Sequence, residues 1–125
     1  MRPCTGLWPL ALCCWPRDCC SPSVGLLANI VQNTVNIVDF DIPIAESVTR
    51  PRFGGGSFTI PGATMIESDI GEKVRDAVVS RGHVFEVVNP WNWHHGAFEG
   101  IYIEPSDRSM HACGDPRRTS KAEGV

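Results

Sequence analysis

The sequence has 125 residues, 42% of them hydrophobic and 20% charged, with a net charge of −3, which is the length of one domain at most. That balance describes a globular protein and argues against a nucleic-acid binder, which would carry a basic excess. No run of about 18 apolar residues occurs, so no segment is suited to span a membrane as a helix.

Residues 1–20 read unlike the rest. Cys4, Cys13, Cys14, Cys19 and Cys20 crowd into them, and only Cys113 lies beyond. Arg2 followed by the apolar Gly6–Leu12 run imitates a secretory signal, but Pro9 and Pro16 break it and no small-residue cleavage site follows. Paired cysteines also raise a disulfide knot or a metal or redox module. Adjacent cysteines chelate one ion poorly, however, and structural zinc sites space theirs two to four residues apart. The simplest expectation is a leader foreign to the domain, such as a mis-set start or translated non-coding sequence.

From Leu26 the pattern changes. Leu26, Leu27, Ile30, Val31, Val35, Ile37 and Val38 recur at helical spacing, with Asn29, Gln32, Asn33, Asn36 and Asp39 filling the other face. This predicts an amphipathic helix with its aliphatic side inward and its amides in water. Asp41 and Pro43 stop it and start a second, short helix. That helix ends near Thr49, because Pro51 pushes Arg50 out of the helical region.

Gly54-Gly55-Gly56-Ser57 predicts a flexible loop; the lysine and hydroxyl residue of a phosphate-binding loop do not follow it. Thr64–Glu67 reads as a strand. Asp69 with Glu72 forms a capping-box pattern for a helix carrying Ile70, Val74, Ala77 and Val78 on one side, closed by Gly82. Strands are expected at His83–Val88 and Ala97–Ile103, then a hairpin over Pro105–Arg108 and a return strand at Ser109–Cys113. Arg117 to Val125 reads as a polar tail, mobile beyond Asp115-Pro116-Arg117. The order predicts an α/β layer architecture with helices against a largely antiparallel sheet.

These elements carry a series of short motifs: Val31-Gln32, Val35-Asn36 and Asp39-Phe40, then Ile44-Ala45-Glu46 and Pro51-Arg52-Phe53. Further on come Arg81-Gly82-His83, Asp115-Pro116-Arg117 and Ala122-Glu123-Gly124. In order and spacing the set resembles the C-terminal part of the gamma-glutamyltransferase small subunit, over roughly residues 21–125. The resemblance implies an N-terminal-nucleophile hydrolase αββα sandwich, of which only the C-terminal portion is present. It also implies γ-glutamyl transfer from glutathione and related amides to water, amino acids or peptides through an ester on an N-terminal threonine, with no metal or organic cofactor.

The chemistry itself is not matched here. The family nucleophile and the groups gripping the substrate's α-amino and α-carboxylate lie upstream of the matched part. Thr5 lacks the neighbours of that nucleophile, which must begin its chain so that its own amine can act as the base. The family's serine-proline-glycine-glycine turn, whose N–H groups form an oxyanion hole, falls on Ser21-Pro22-Ser23-Val24. One register puts Pro22 and Ser23 at the glycine positions and the other Ser23 and Val24; proline has no N–H to donate.

His94-His95 beside Trp91 and Trp93, with His83 and His111 elsewhere, are weighed as metal ligands. Adjacent histidines point apart on extended backbone, so a tryptophan-rich loop with histidines at its wet edge is expected instead. Asp115 and Arg117 are read as a local pair pinning the last strand, and Cys113 as a small core residue. Sequence reasoning thus assigns no catalytic, substrate-binding or metal-ligating residue. Two readings stand: an enzyme fragment inactive alone, and a non-enzymatic remnant that associates with a missing large subunit and N-terminal part of the small subunit, or with itself.

Overall fold

The computed structural model describes residues 10–11 and 25–123. The remaining leader cysteines, Thr5 and the Ser21–Val24 turn lie outside the described residues. Helix α1 spans Leu26–Val38 and helix α2 Ile44–Thr49. Strand β2 runs Phe53–Gly56, β3 Thr64–Glu67 and β4 Phe85–Val88, with helix α3 at Glu72–Val79 joining the last two. A short 3-10 turn at Trp93–His95 leads to β5, Gly100–Ile103, and β6, Met110–Cys113. Within the leader, Leu10–Ala11 forms a two-residue strand, β1, on the edge of β5.

The strands form two three-stranded sheets, β1-β5-β6 and β2-β3-β4. The first is antiparallel throughout. In the second, β2 runs antiparallel to β3, whereas β3 and β4 are parallel, with Thr64 opposite Phe85 and Glu67 opposite Val88. A parallel pair needs a crossover, and α3 supplies it.

The two predicted helices appear with their expected bounds, but the first buries a different stripe, Asn29, Asn33 and Ile37. Asn29 and Asn33 are each 1% exposed, while Leu27 is 76% exposed and Val31 and Val38 also face outward. The amides go inward because they find partners there. Asn33 Nδ2 donates to Asn29 Oδ1 at 2.7 Å, Ser47 Oγ donates to Asn33 Oδ1 at 2.8 Å, and Asn36 Nδ2 reaches Ser47 Oγ at 3.2 Å. This ladder joins α1 to α2. Below it Ile37, Ile44, Val48 and Phe98 form the apolar core, with Tyr102 and Cys113 packed against it. Cys113 is therefore half-buried at the core margin, and burial raises its thiol pKa, with Asp115 adding to the effect.

The glycine run is a strand, not a flexible loop. Gly54 has φ +116°, and a Cβ there would lie 2.3 Å from the Ala28 Cβ, so glycine is what lets β2 pass beneath α1. Gln32 fastens the two together: its Oε1 accepts from Phe53 N–H at 3.2 Å, and its Nε2 donates to the Phe53 carbonyl. The cap of α3 also differs from expectation. Gly71, not Asp69, precedes the helix, and no side chain caps it. The polar tail packs further along than predicted, since a Cβ on Gly114 would meet the Lys121 backbone at 2.7 Å.

The buried stripe of α1 gives a direct test by chemical denaturation. Replacing Asn33 with Ala strands the Asn29 and Ser47 groups and should lower stability by about 1–3 kcal/mol. Leu27→Ala, on the outward face, should stay within about 0.5 kcal/mol of the parent. The opposite ranking would restore the aliphatic-inward helix.

Candidate functional site

The two sheets meet around four buried charges: Arg52, Glu67, Asp115 and Arg117. Arg52 enters from the residue before β2, Glu67 ends β3, and Asp115 and Arg117 follow β6. Arg52 Nη1 lies 2.6 Å from Asp115 Oδ2, and Arg117 Nη2 lies 2.6 Å from Glu67 Oε2. Arg117 also stands 3.6 Å from Asp115 through Nη1. The expected local pair between Asp115 and Arg117 is thus the longest of the three contacts. Each residue has its shorter contact with a residue far away in sequence.

Backbone groups complete the cluster. Glu67 accepts from the N–H of Arg52 and of Asn92, both at 2.9 Å. Asp115 accepts from Phe98 N–H at 2.8 Å and from Arg117 N–H at 3.0 Å. The carbonyl of Val48, in the last turn of α2, accepts from both guanidiniums, at 3.1 Å from Arg52 and 3.0 Å from Arg117. The Arg50 carbonyl accepts from Arg117 at 3.0 Å. Two cations therefore satisfy carbonyls that a helix end leaves open.

The titration behaviour follows from this packing. Burial alone would raise the Glu67 carboxyl, but the Arg117 hydrogen bonds and the two backbone N–H groups outweigh it and hold the group below its usual range. Burial lowers the Arg52 guanidinium, and Asp115 opposes that effect. Burial likewise lowers His95; Glu67 opposes it, while Arg117, Arg52 and His94 add to it.

The tryptophan loop covers the cluster. The Arg117 guanidinium carbon sits 5.0 Å from the Trp91 ring centroid, and that of Arg118 sits 5.1 Å from Trp93. Trp91 itself has φ 59°, a strained position for a bulky residue. His94 stacks on Trp93 at 3.8 Å and on Phe58 at 4.6 Å.

The two adjacent histidines lie in a 3-10 turn, not on extended backbone, and His95 is not at a wet edge. It is 1% exposed, and its Nε2 has no hydrogen-bond partner. Among the described residues no group of three ligating side chains is placed to hold a metal, and no helix is long and apolar enough to cross a membrane.

Sequence reasoning named Arg52, Asp115 and Arg117 inside motifs but did not bring them together. The Pro-Arg-Phe and Asp-Pro-Arg segments are two sides of one cluster, with Glu67 the member that carried no signal beyond a polar end to a strand.

These features define an α/β domain with its helices laid against antiparallel-rich sheets. The gamma-glutamyltranspeptidase family model matches residues 25–125, and the chain belongs to that family. No curated protein matches the chain in sequence. Among solved structures it is similar to the gamma-glutamyltranspeptidase of Pseudomonas nitroreducens complexed with L-DON, with TM-score 0.61 and 20% identity over 79% of this chain and 49% of that one. A T380A mutant of the Helicobacter pylori gamma-glutamyltranspeptidase gives TM-score 0.59 and 22% identity over 74% and 48%. The cephalosporin acylase of Bacillus halodurans gives 0.60 and 22% over 78% and 18%. The chain thus spans about half the length of the transpeptidase chains it matches.

Breaking the cluster should be severe. Asp115→Ala leaves Arg52 buried and uncompensated, and its loss of stability in denaturant titration should reach about 3–5 kcal/mol. Glu67 adds an acid limb. Because its folded pKa is depressed, its contribution is complete above the unfolded value of 4.5 and is lost as pH falls through the folded value. Glu67→Gln, weaker at neutral pH, should lose part of that acid slope.

Proposed function

We propose that this chain is the C-terminal part of a gamma-glutamyltransferase-like small subunit and performs no γ-glutamyl transfer by itself. In this reading residues 21–125 form the family domain, and residues 1–20 are a leader that does not match it, with Leu10–Ala11 adding an edge strand to β5. The observation that carries the proposal is the engagement of the buried acids. Both oxygens of Glu67 and both of Asp115 are taken up by guanidinium and backbone N–H groups. A group holding four partners in place is a clamp, not a poised acid or base. The family's threonine nucleophile and substrate-gripping groups lie, by resemblance, in the preceding half. The activity on glutathione and related amides then requires that half.

The second support concerns partners. An open groove of about 1140 Å³ lies between α1 and α3 over the β2-β3-β4 sheet, lined by Val31, Val35, Ile66, Ile70, Val74 and Val78. No residue of α3 is buried. A face this apolar favours association, with the large subunit and the N-terminal part of the small subunit, or with a second copy. The same groove suits the runner-up reading, a non-enzymatic remnant that binds a partner subunit.

Two measurements test this. The purified chain, given a chromogenic γ-glutamyl donor, should release no product above the blank; turnover abolished by substituting one of its own residues would overturn the proposal. In sedimentation, concentration-dependent association is expected, and a monodisperse, well-folded monomer would contradict the partner reading.

A further inference from the structure

His95 is a buried titratable side chain that neither the clamp nor the amide ladder employs. It lies where α1 meets the tryptophan loop. A Cβ on Gly25, the residue before α1, would lie 2.7 Å from the His95 Cα, so the entry of the helix rests on the histidine's own backbone. One residue on, the Gly96 carbonyl accepts from Arg52 Nη1 at 3.2 Å. His95 therefore touches the helix entry on one side and the charge cluster on the other.

The charged and titratable groups acting on it come from several elements: Glu67 from β3, Arg52 from the entry to β2, Arg117 from the segment after β6, and His94 beside it. Asp115, the other acid of the cluster, is held by Arg52. Two guanidiniums and two carboxylates balance, and the carboxylates are already fully engaged. A neutral His95 leaves that balance intact, with one unpartnered ring nitrogen, Nε2. A protonated His95 would add a third cation to a closed site and turn a charged N–H toward no acceptor, which is far more costly than an unpartnered neutral nitrogen.

We propose that His95 is an acid-sensitive latch: neutral, it closes the junction between α1 and the charge cluster; protonated, it opens that junction locally while the β5-β6 hairpin stays folded. The inference rests on the fold alone and is independent of the chain's catalytic standing. The sign is that of a group held below its ordinary value. Closure is complete above the free value of 6.5 and weakens as pH falls below it. The weakening begins near 6.5, above the 4.5 from which the Glu67 contribution is lost.

Amide hydrogen exchange on the full 125-residue chain, corrected for intrinsic rates, tests the latch. Between pH 7 and pH 5 the opening equilibrium at Asn29 N–H, which donates to the Gly25 carbonyl, should rise by about tenfold. Protection in the Ile101–Ala112 register should hold. His95→Gln should abolish the pH dependence, and His94→Gln should keep it. Should His95→Gln fail to fold, the ring resonances of His95 in the unaltered chain decide: they should titrate together with the loss of protection. A flat profile at Asn29, uniform loss across both sheets, or a ring that protonates with α1 still protected would each overturn the proposal.

Discussion

Everything in this fold is tied to one feature, the pairing of two arginines with two acids where water is excluded. At low dielectric such a set is stable only when every charge has an opposite charge and every polar hydrogen an acceptor. Here the arginines reach past the acids to the Val48 and Arg50 carbonyls, and the acids reach past the arginines to backbone N–H groups. The cluster therefore joins backbone to backbone. It joins the end of α2, the start of β2, the end of β3, the loop before β5 and the segment after β6. Beside a small apolar cluster of Ile37, Ile44, Val48 and Phe98, that bonding ties the two sheets to each other.

The polar ladder between α1 and α2 belongs to the same design. With amides and Ser47 occupying the seam, α1 keeps its aliphatic residues for its other side, where Val31 and Val35 form one wall of the groove. A helix that hides asparagines and presents valines has two dissimilar sides, one bonded through amides and the other lining an apolar groove.

Much of this was legible from sequence, and the losses have physical causes. The helices and the strands β3, β4, β5 and β6 follow from local signals: proline placement, periodicity of 3.6 and runs of valine and phenylalanine. The family followed from the order of motifs such as Pro51-Arg52-Phe53 and Asp115-Pro116-Arg117. Which side of α1 faces inward did not follow, because hydrophobicity says where a helix prefers to be buried and not whether Ser47 waits for Asn33. The glycine strand was hidden for a related reason. Gly54 signals freedom of the chain, yet its use is close passage under Ala28, a contact 26 positions away. Charges separated by 50 residues or more, as Glu67 and Arg117 are, leave no periodic trace at all.

The two edges of the β2-β3-β4 sheet are treated differently, and that has a practical consequence. On the β2 side Gln32 occupies the Phe53 backbone like a single rung of another strand. On the β4 side no strand among the described residues pairs with the outer edge, and Val84 and Val87 are exposed there. An uncovered, valine-rich edge is a template for further strands. Made apart from whatever covers it, the chain carries a built-in route to insoluble stacks. A lysine in place of Val87 is the conservative way to close that route for work in solution.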